Sequence, residues 1–255
     1  MERFIGAQMY TAWEYLKDGA QTIESFKKLA KMGYKVAQVS AMGHLTADEI
    51  KAACDESGIR ATAAHCSLDF IEEDIAGAIK YFKTFGCDTF GVGAIPGNLR
   101  GSAADIKSFF DRANKVADEM AKEGAIFTYH NHAYEFAPVD GKNIMDHILD
   151  FRGENIKLMV DVYWLAAAGI DPVKFIRKHK DIIGGVHYKD LKVVDNAPAI
   201  CEVGYGNLDW DEIVATCDEL GYEKIYVEQD TNWSPDPFTS LEMSYNFLSK
   251  KYGYK

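Results

Sequence analysis

Eight times along its length the chain passes from a short apolar run to a longer amphipathic segment, and this alternation narrows the possible folds more than any other feature. A short apolar run with polar tips suits a strand buried on both faces. An amphipathic run at helical spacing suits a helix laid over it. The pattern predicts strands over Arg3–Met9, Tyr34–Ser40, Arg60–His65, Asp88–Gly93, Ala125–His130, Ile156–Val160, Ile182–His187 and Lys224–Val227. It predicts helices over Thr22–Met32, from Thr46 to the stop at Gly58, and over Glu72–Phe85, Ser102–Glu123, Asn143–Phe151, Pro172–His179, Asp209–Leu220 and Ser240–Ser249. Punctuation supports the division. Gly33, Gly58, Gly86, Gly124 and Gly221 each close a helix, Thr46 and Glu49 form a capping box, and Asp171 precedes a proline at the first helical position.

Eight strand–helix units in 255 residues point to a closed α/β barrel, a (β/α)8 TIM barrel, with an open doubly wound sheet as the alternative. No G-x-G-x-x-G follows the first strand, and the glycines of GVGAIPG are wrongly spaced for one, so a dinucleotide site is unsupported. No linker or low-complexity stretch interrupts residues 1–255, which read as a single domain. The longest loop, Leu191–Leu208, reads as a flap over one end of the barrel.

Composition excludes several functions. A net charge of −11 and the lack of any basic run argue against nucleic acid as a partner. No apolar stretch is long enough to span a membrane, and the N-terminal residues lack the pattern of a signal peptide. Five scattered cysteines without a C-x-x-C fit buried thiols in a reducing compartment, so a cytoplasmic location is expected.

In a barrel of this type chemistry sits where strands end and helices begin. Those ends carry His65, then His130, His132 and Glu135, then Asp161, then His187, Lys189 and Asp190, and finally Glu228, Gln229 and Asp230. Buried charges at strand tips are costly unless paired or bound to a metal. Asp161, His187 and Glu228 stand on three successive strands, with His130 as a fourth. Together they make a donor set for one divalent ion, Mn²⁺, Co²⁺, Zn²⁺ or Mg²⁺. His130 and His132 are expected to face opposite ways, leaving one of them structural. Other readings concern neighbouring residues. Asp161 would also serve as a helix N-cap, Glu135 as a cap or a partner of Lys142, and Lys189 with Asp190 as an ion pair on the rim. His44, His147 and His179 are expected at the surface. Tyr10, Trp13, Tyr163 and Trp164 are either packing at the barrel mouth or a wall for a sugar face.

The segments YHNHAYEF, MVDVYW, GGVHYKD, EVGYGNLDW and YVEQD resemble the xylose-isomerase-like barrels of the sugar phosphate isomerase/epimerase group. That group also holds inosose dehydratases, ketose 3-epimerases and the endonuclease-IV fold. The resemblance runs over essentially the whole chain. It implies one divalent metal held by Glu, Asp, His and Glu at the ends of strands five to eight. Asp161, His187 and Glu228 match the last three. His130 stands where the first Glu belongs, as it does in members similar to inosose dehydratases, although His132 and Glu135 are alternatives for that place. Gln38 stands on strand two where many members have a carboxylate.

The implied function is a metal-dependent isomerase or epimerase acting on a keto-sugar or inositol derivative through an enediolate. Glu228 is the expected base, His132 (or His130) its partner, and Lys189 the stabiliser of the enediolate oxygen. His65, Trp13, Trp164, Glu135 and Asp190 are the expected substrate contacts. A dehydratase or β-eliminating lyase on the same site is the nearest alternative. An apurinic endonuclease would need several metals and suits the acidic charge poorly, and a non-catalytic binding protein would hold no metal. The family resemblance also makes a homo-oligomer an expectation.

Overall fold

A computed structural model describes residues 3–255. Among the described residues twelve strands occur in chain order, and eight of them form the barrel. These are β1 (Gly6–Gln8), β2 (Val36–Val39), β3 (Arg60–Cys66), β4 (Thr89–Val92), β5 (Ile126–His130), β8 (Ile156–Asp161), β9 (Ile183–Tyr188) and β12 (Ile225–Val227). They close in the order β1-β12-β9-β8-β5-β4-β3-β2. Every neighbour pair is parallel. The remaining four strands form two small hairpins, β6 (Pro138–Val139) with β7 (Lys142–Asn143), and β10 (Asp190–Val194) with β11 (Ala197–Cys201).

The eight predicted strands are therefore all present, each within two or three residues of its expected ends. The helices are α1 (Gly19–Met32), α2 (Ala47–Ser57), α3 (Leu68–Glu73), α4 (Ile75–Thr84), α5 (Ala103–Lys122), α6 (Ile144–Phe151), α7 (Val162–Ala167), α8 (Pro172–Lys178), α9 (Trp210–Glu219) and α10 (Pro237–Tyr252). Two differ from expectation. The helix predicted over Glu72–Phe85 is broken at Asp74, whose non-helical backbone lets its carboxylate accept from Gly77 N at 2.9 Å and start α4 afresh. The residues after Asp161 form α7 before α8 begins. The capping box of Thr46 and Glu49 is present, and all five helix-stopping glycines take positive φ.

Parallel register carries the polar strand ends to one rim. Asp161 lies beside His187 across β8 and β9, and His187 lies beside Tyr226, two residues before Glu228, across β9 and β12. Below that rim the barrel is plugged by the fully buried Met159 and Tyr226, with the Tyr226 hydroxyl 2.8 Å from Thr62 Oγ1. Glycine at positions 6 and 185 makes room for this plug, because a Cβ there would run into the Tyr226 ring and the Met159 thioether. All five cysteines are free thiols. Among the described residues no helix is long and apolar enough to cross a membrane.

The flap expected over Leu191–Leu208 is built around the β10–β11 hairpin. Asp195 and Asn196 at its tip both have positive φ, as a two-residue hairpin turn requires. The hairpin and the loop after it are anchored by Asp190, which corrects two expectations. Asp190 is fully buried and its carboxylate accepts from Leu191 N (2.7 Å), Gly204 N (2.8 Å), Gly206 N (3.1 Å) and Trp210 Nε1 (2.6 Å). It is neither a substrate contact nor the partner of Lys189, since its lone pairs are taken by the loop's own amides. Asp190→Ala strands these donors in the interior and is expected to lower the unfolding free energy by about 3–4 kcal/mol, read by urea denaturation. An unchanged midpoint would refute the anchoring role. His147 also departs from expectation. It is buried and donates from Nε2 to Val139 O at 2.8 Å, whereas His44 is exposed and His179 half-buried.

Candidate metal centre

Four side chains from four neighbouring strands meet at this rim. His130 ends β5, Asp161 ends β8, His187 lies on β9 and Glu228 follows β12. Each offers one donor atom, and the four atoms all lie within 4.8 Å of one another. His130 Nε2 is 3.5 Å from Asp161 Oδ2 and 3.9 Å from Glu228 Oε2. His187 Nδ1 is 2.9 Å from Glu228 Oε2 and 3.9 Å from Asp161 Oδ2. Four donors held tetrahedrally about 2.1 Å from one ion stand roughly 3.4 Å apart. Four of the six donor pairs here span 2.9–3.9 Å, close to that spacing.

Hydrogen bonds behind the donors turn the lone pairs inward. His130 Nδ1 donates to Gly93 O (3.2 Å), and a carbonyl can only accept, so Nε2 is left with its lone pair. His187 Nε2 donates to the Gln38 amide oxygen (2.6 Å), which leaves Nδ1, hydrogen-bonded here to Glu228 Oε2 (2.9 Å), as the ring atom that would face a metal. Asp161 serves two roles at once: Oδ1 caps α7 by accepting from Trp164 N at 3.0 Å, while Oδ2 faces the cluster. Glu228 Oε1 accepts from Gln8 Nε2 (2.8 Å), and Oε2 faces the cluster. His130 Nε2 and Asp161 Oδ2 are buried polar atoms without a hydrogen-bond partner. Two such atoms aimed at one point are costly unless a cation joins them. The residues therefore fit a divalent ion, and His130, not His132 or Glu135, completes the set.

Burial, reinforced by His187, pushes the His130 imidazole down to about 3, and burial with His130 does the same for His132. Neutral imidazole is the form that binds metal. Burial raises Asp161 above the usual carboxylate range. Burial also pushes Glu228 up, but Lys189 and His187 outweigh it and hold Glu228 well below that range. Lys189 Nζ lies 3.5 Å from Asp161 Oδ2, 3.3 Å from Glu228 Oε2 and 2.6 Å from Asp230 Oδ2. Burial opposes its charge, yet those three carboxylates raise its pKa.

A cavity of about 710 Å³ opens above the donors, lined among others by Tyr10, Trp13, Ser40, His65, Asp230 and Trp233. His130 and His132 both line it, against the expectation that alternation would separate them. Residues two apart on an extended chain share a face, so alternation does not separate this pair, and β5 in any case stops at His130. The chain then turns through Asn131, and the His132 ring comes edge-on to that of His130, 4.7 Å between centres. Glu135 holds this turn. Fully buried and pushed up to about 7 by burial, it accepts from His132 N (2.7 Å) and from the Tyr129 hydroxyl (2.6 Å). It caps, as one expectation had it, but it does not reach the cavity or pair with Lys142, whose partner is Asp150. Trp164 stands behind His132, ring centres 5.4 Å apart, with the Lys189 ammonium 5.0 Å over its indole. A separate cavity of about 530 Å³ lies at the other end of the barrel, lined by Arg3, Arg60 and Lys224 among others, and carries none of the donors.

Sequence reasoning did not assign the supporting amides Gln8 and Asn131, nor Ser40 and Trp233 in the cavity wall. Asn131 accepts from Asp161 N at 3.0 Å. Their one available signal was a polar residue at or just past a strand end, the same signal that had identified the ligands.

Comparison with known proteins agrees with this architecture. A profile of the family described as xylose isomerase-like TIM barrel matches residues 26–250. The rhizopine catabolism protein MocC of Rhizobium meliloti is 26% identical over 170 residues, covering 60% of this chain and 51% of that protein. The chain thus aligns with about half the length of that relative. A crystal structure of a sugar phosphate isomerase/epimerase from Parabacteroides distasonis superposes with a TM-score of 0.83 at 20% identity, over 100% of this chain and 96% of the other. The 3-keto-D-glucoside 4-epimerase of E. coli superposes with a TM-score of 0.67 at 18% identity, over 98% and 100% of the two chains. At these identities the superpositions speak for the fold alone.

Proposed function

The chain belongs to the xylose isomerase-like TIM barrel family, and on that premise we propose that it is a divalent-metal-dependent isomerase or epimerase of a keto-sugar or related keto-polyol. One observation carries this reading: four buried donors converge beside an open cavity, and two of them have no hydrogen-bond partner within the protein. Two imidazoles and two carboxylates favour Mn²⁺, Co²⁺ or Zn²⁺ over Mg²⁺, which prefers oxygen donors. When bound, such an ion would act as a Lewis acid on the substrate carbonyl and a neighbouring hydroxyl, acidifying the carbon between them.

The protein's own groups handle the proton. Glu228, kept ionised by Lys189 and His187, is the proposed base. His132 is its proposed partner, because its Nδ1 is buried without a partner and its ring lines the cavity. The Lys189 ammonium, fixed by three carboxylates, would stabilise negative charge developing on the substrate oxygen. The same site serves a dehydratase or β-eliminating lyase if a β-substituent leaves after proton loss. One feature favours that second reading: an imidazole, His130, holds the place opposite Glu228 where a second carboxylate base would stand in an epimerase.

The test is proton–deuterium exchange in D₂O with metal-loaded protein over a panel of ketohexoses and inososes. Metal-dependent exchange into an isomerised or epimerised product supports the first reading, and an unsaturated product the second. No exchange with any member would remove both.

A further inference from the structure

Among the described residues Lys189 is the one lysine or arginine that lines the cavity over the donors, and its charge is already matched. Asp161, Glu228 and Asp230 surround it at 3.5, 3.3 and 2.6 Å. Three carboxylates against one ammonium leave two negative charges, which a divalent ion brings to zero. No positive charge is left over for a second anion away from the ion. A phosphate group needs such charge, because its strong hydrogen bonds are the charge-assisted ones.

The other source of phosphate sites in barrels is the helix N-terminus, above all after the last two strands. On this rim those termini are closed by the chain's own acids. Helix α10 begins with Pro237, which has no N–H, and its next two amides, Phe238 and Thr239, donate to the Asp236 carboxylate at 2.9 and 3.1 Å. Asp209 closes α9 by accepting from Glu212 N at 3.0 Å, and Asp161 closes α7 in the same way. A phosphate arriving here would meet carboxylates where it needs amides.

The wall offers something different. Tyr10 and Trp13 are each 45% exposed and line the cavity with Trp233. Ser40 Oγ and His65 Nε2, in the same wall, are buried polar atoms without a partner. An apolar surface with a few unpaired hydrogen-bonding atoms is the usual form of a site for a neutral polar ligand. We propose that the site takes an uncharged keto-polyol ring, its apolar face on Tyr10, Trp13 and Trp233 and its hydroxyls at Ser40 and His65, and rejects the phosphorylated counterpart. This rests on the enolisation reading above and narrows it.

The test uses the full chain loaded with Mn²⁺ and a panel of ketohexoses and inososes, each with and without a phosphate remote from the carbonyl. Binding is read by calorimetry and enolisation by exchange in D₂O. The expected result is that unphosphorylated members bind and exchange, and that the added phosphate weakens binding by about 100-fold, as an unpaired anion should. Trp13→Ala and Ser40→Ala should each weaken the neutral ligand roughly 5- to 10-fold with metal content unchanged. Equal or tighter binding of the phosphorylated members would overturn this inference and leave the enolisation reading standing. Preferential binding of neutral members without exchange keeps the recognition and removes the chemistry. No binding and no exchange across both sets would overturn both.

Discussion

Asp161→Ala is expected to give a folded barrel that no longer holds a divalent ion. The carboxylate is fully buried, its Oδ2 lies within 4 Å of His130, His187 and Lys189, and no hydrogen bond satisfies that oxygen. Removing it takes one anionic donor out of four. Loss of a residue that merely supports a ligand typically weakens metal binding about 10- to 100-fold, so loss of the ligand itself should exceed about 100-fold. The fold should survive. The substitution deletes the cap on Trp164 N, at a cost of about 1 kcal/mol, but it also deletes a buried carboxylate whose ionisation burial opposes. Linkage supplies a clear signature. A ligand at about 100 times its dissociation constant stabilises a protein by ~2.7 kcal/mol. The parent should therefore melt higher with added Mn²⁺, and Asp161→Ala should melt at one temperature with or without it. Asp161→Asn keeps an oxygen for the cap and should behave like the alanine variant toward metal. A variant that still gains stability from Mn²⁺ and retains stoichiometric metal would exclude Asp161 as a ligand.

The barrel was legible because its signals are local and repeated. Each of Gly33, Gly58, Gly86, Gly124 and Gly221 occupies a left-handed position at the end of a helix, where glycine is the residue of lowest cost. The break at Asp74 was not legible, because the apolar pattern runs through it and an aspartate inside a helical pattern has no unique reading. The four ligands were legible for a topological reason. Parallel strands bring their polar ends to one rim, so His130, Asp161, His187 and Glu228 converge although they are far apart in sequence. His132 was misjudged because positions two apart on an extended chain share a face, so alternation gives no ground for setting it apart from His130. Asp190 was misjudged for another reason. Its partners are amides at Gly204 and Gly206, and nothing in the chain between marks a loop that folds back onto a carboxylate. Gln38 and Gln8 set the orientation of His187 and Glu228; Gln38 stands out only through the family resemblance, and Gln8, a neutral amide on a strand, looks like an incidental polar residue.

Lys189→Met should have the largest effect on the metal-free protein. The ammonium is the one fixed positive charge among Asp161, Glu228 and Asp230, and the side chain is buried. Methionine fills a similar volume without charge, so the loss is electrostatic. Removing one partner from a buried ionic cluster costs about 3–5 kcal/mol, because the remaining charges stay desolvated and unpaired. The metal-free variant should lose about that much unfolding free energy. Metal should then restore much of the loss, because an ion at the four donors supplies positive charge to the same two oxygens, Asp161 Oδ2 and Glu228 Oε2, that the ammonium now faces. The repulsion between ammonium and ion also disappears, so the variant should bind Mn²⁺ at least as tightly as the parent. Exchange of the substrate proton should nevertheless fall by about 100-fold or more, since a charged donor to the developing oxyanion is gone. Weak stability without metal, recovery with it, and poor exchange even when loaded form a combination that a purely structural lysine would not produce. Unchanged metal-free stability would show that the three carboxylates do not depend on Lys189, and full exchange activity in the loaded variant would remove it from the chemistry.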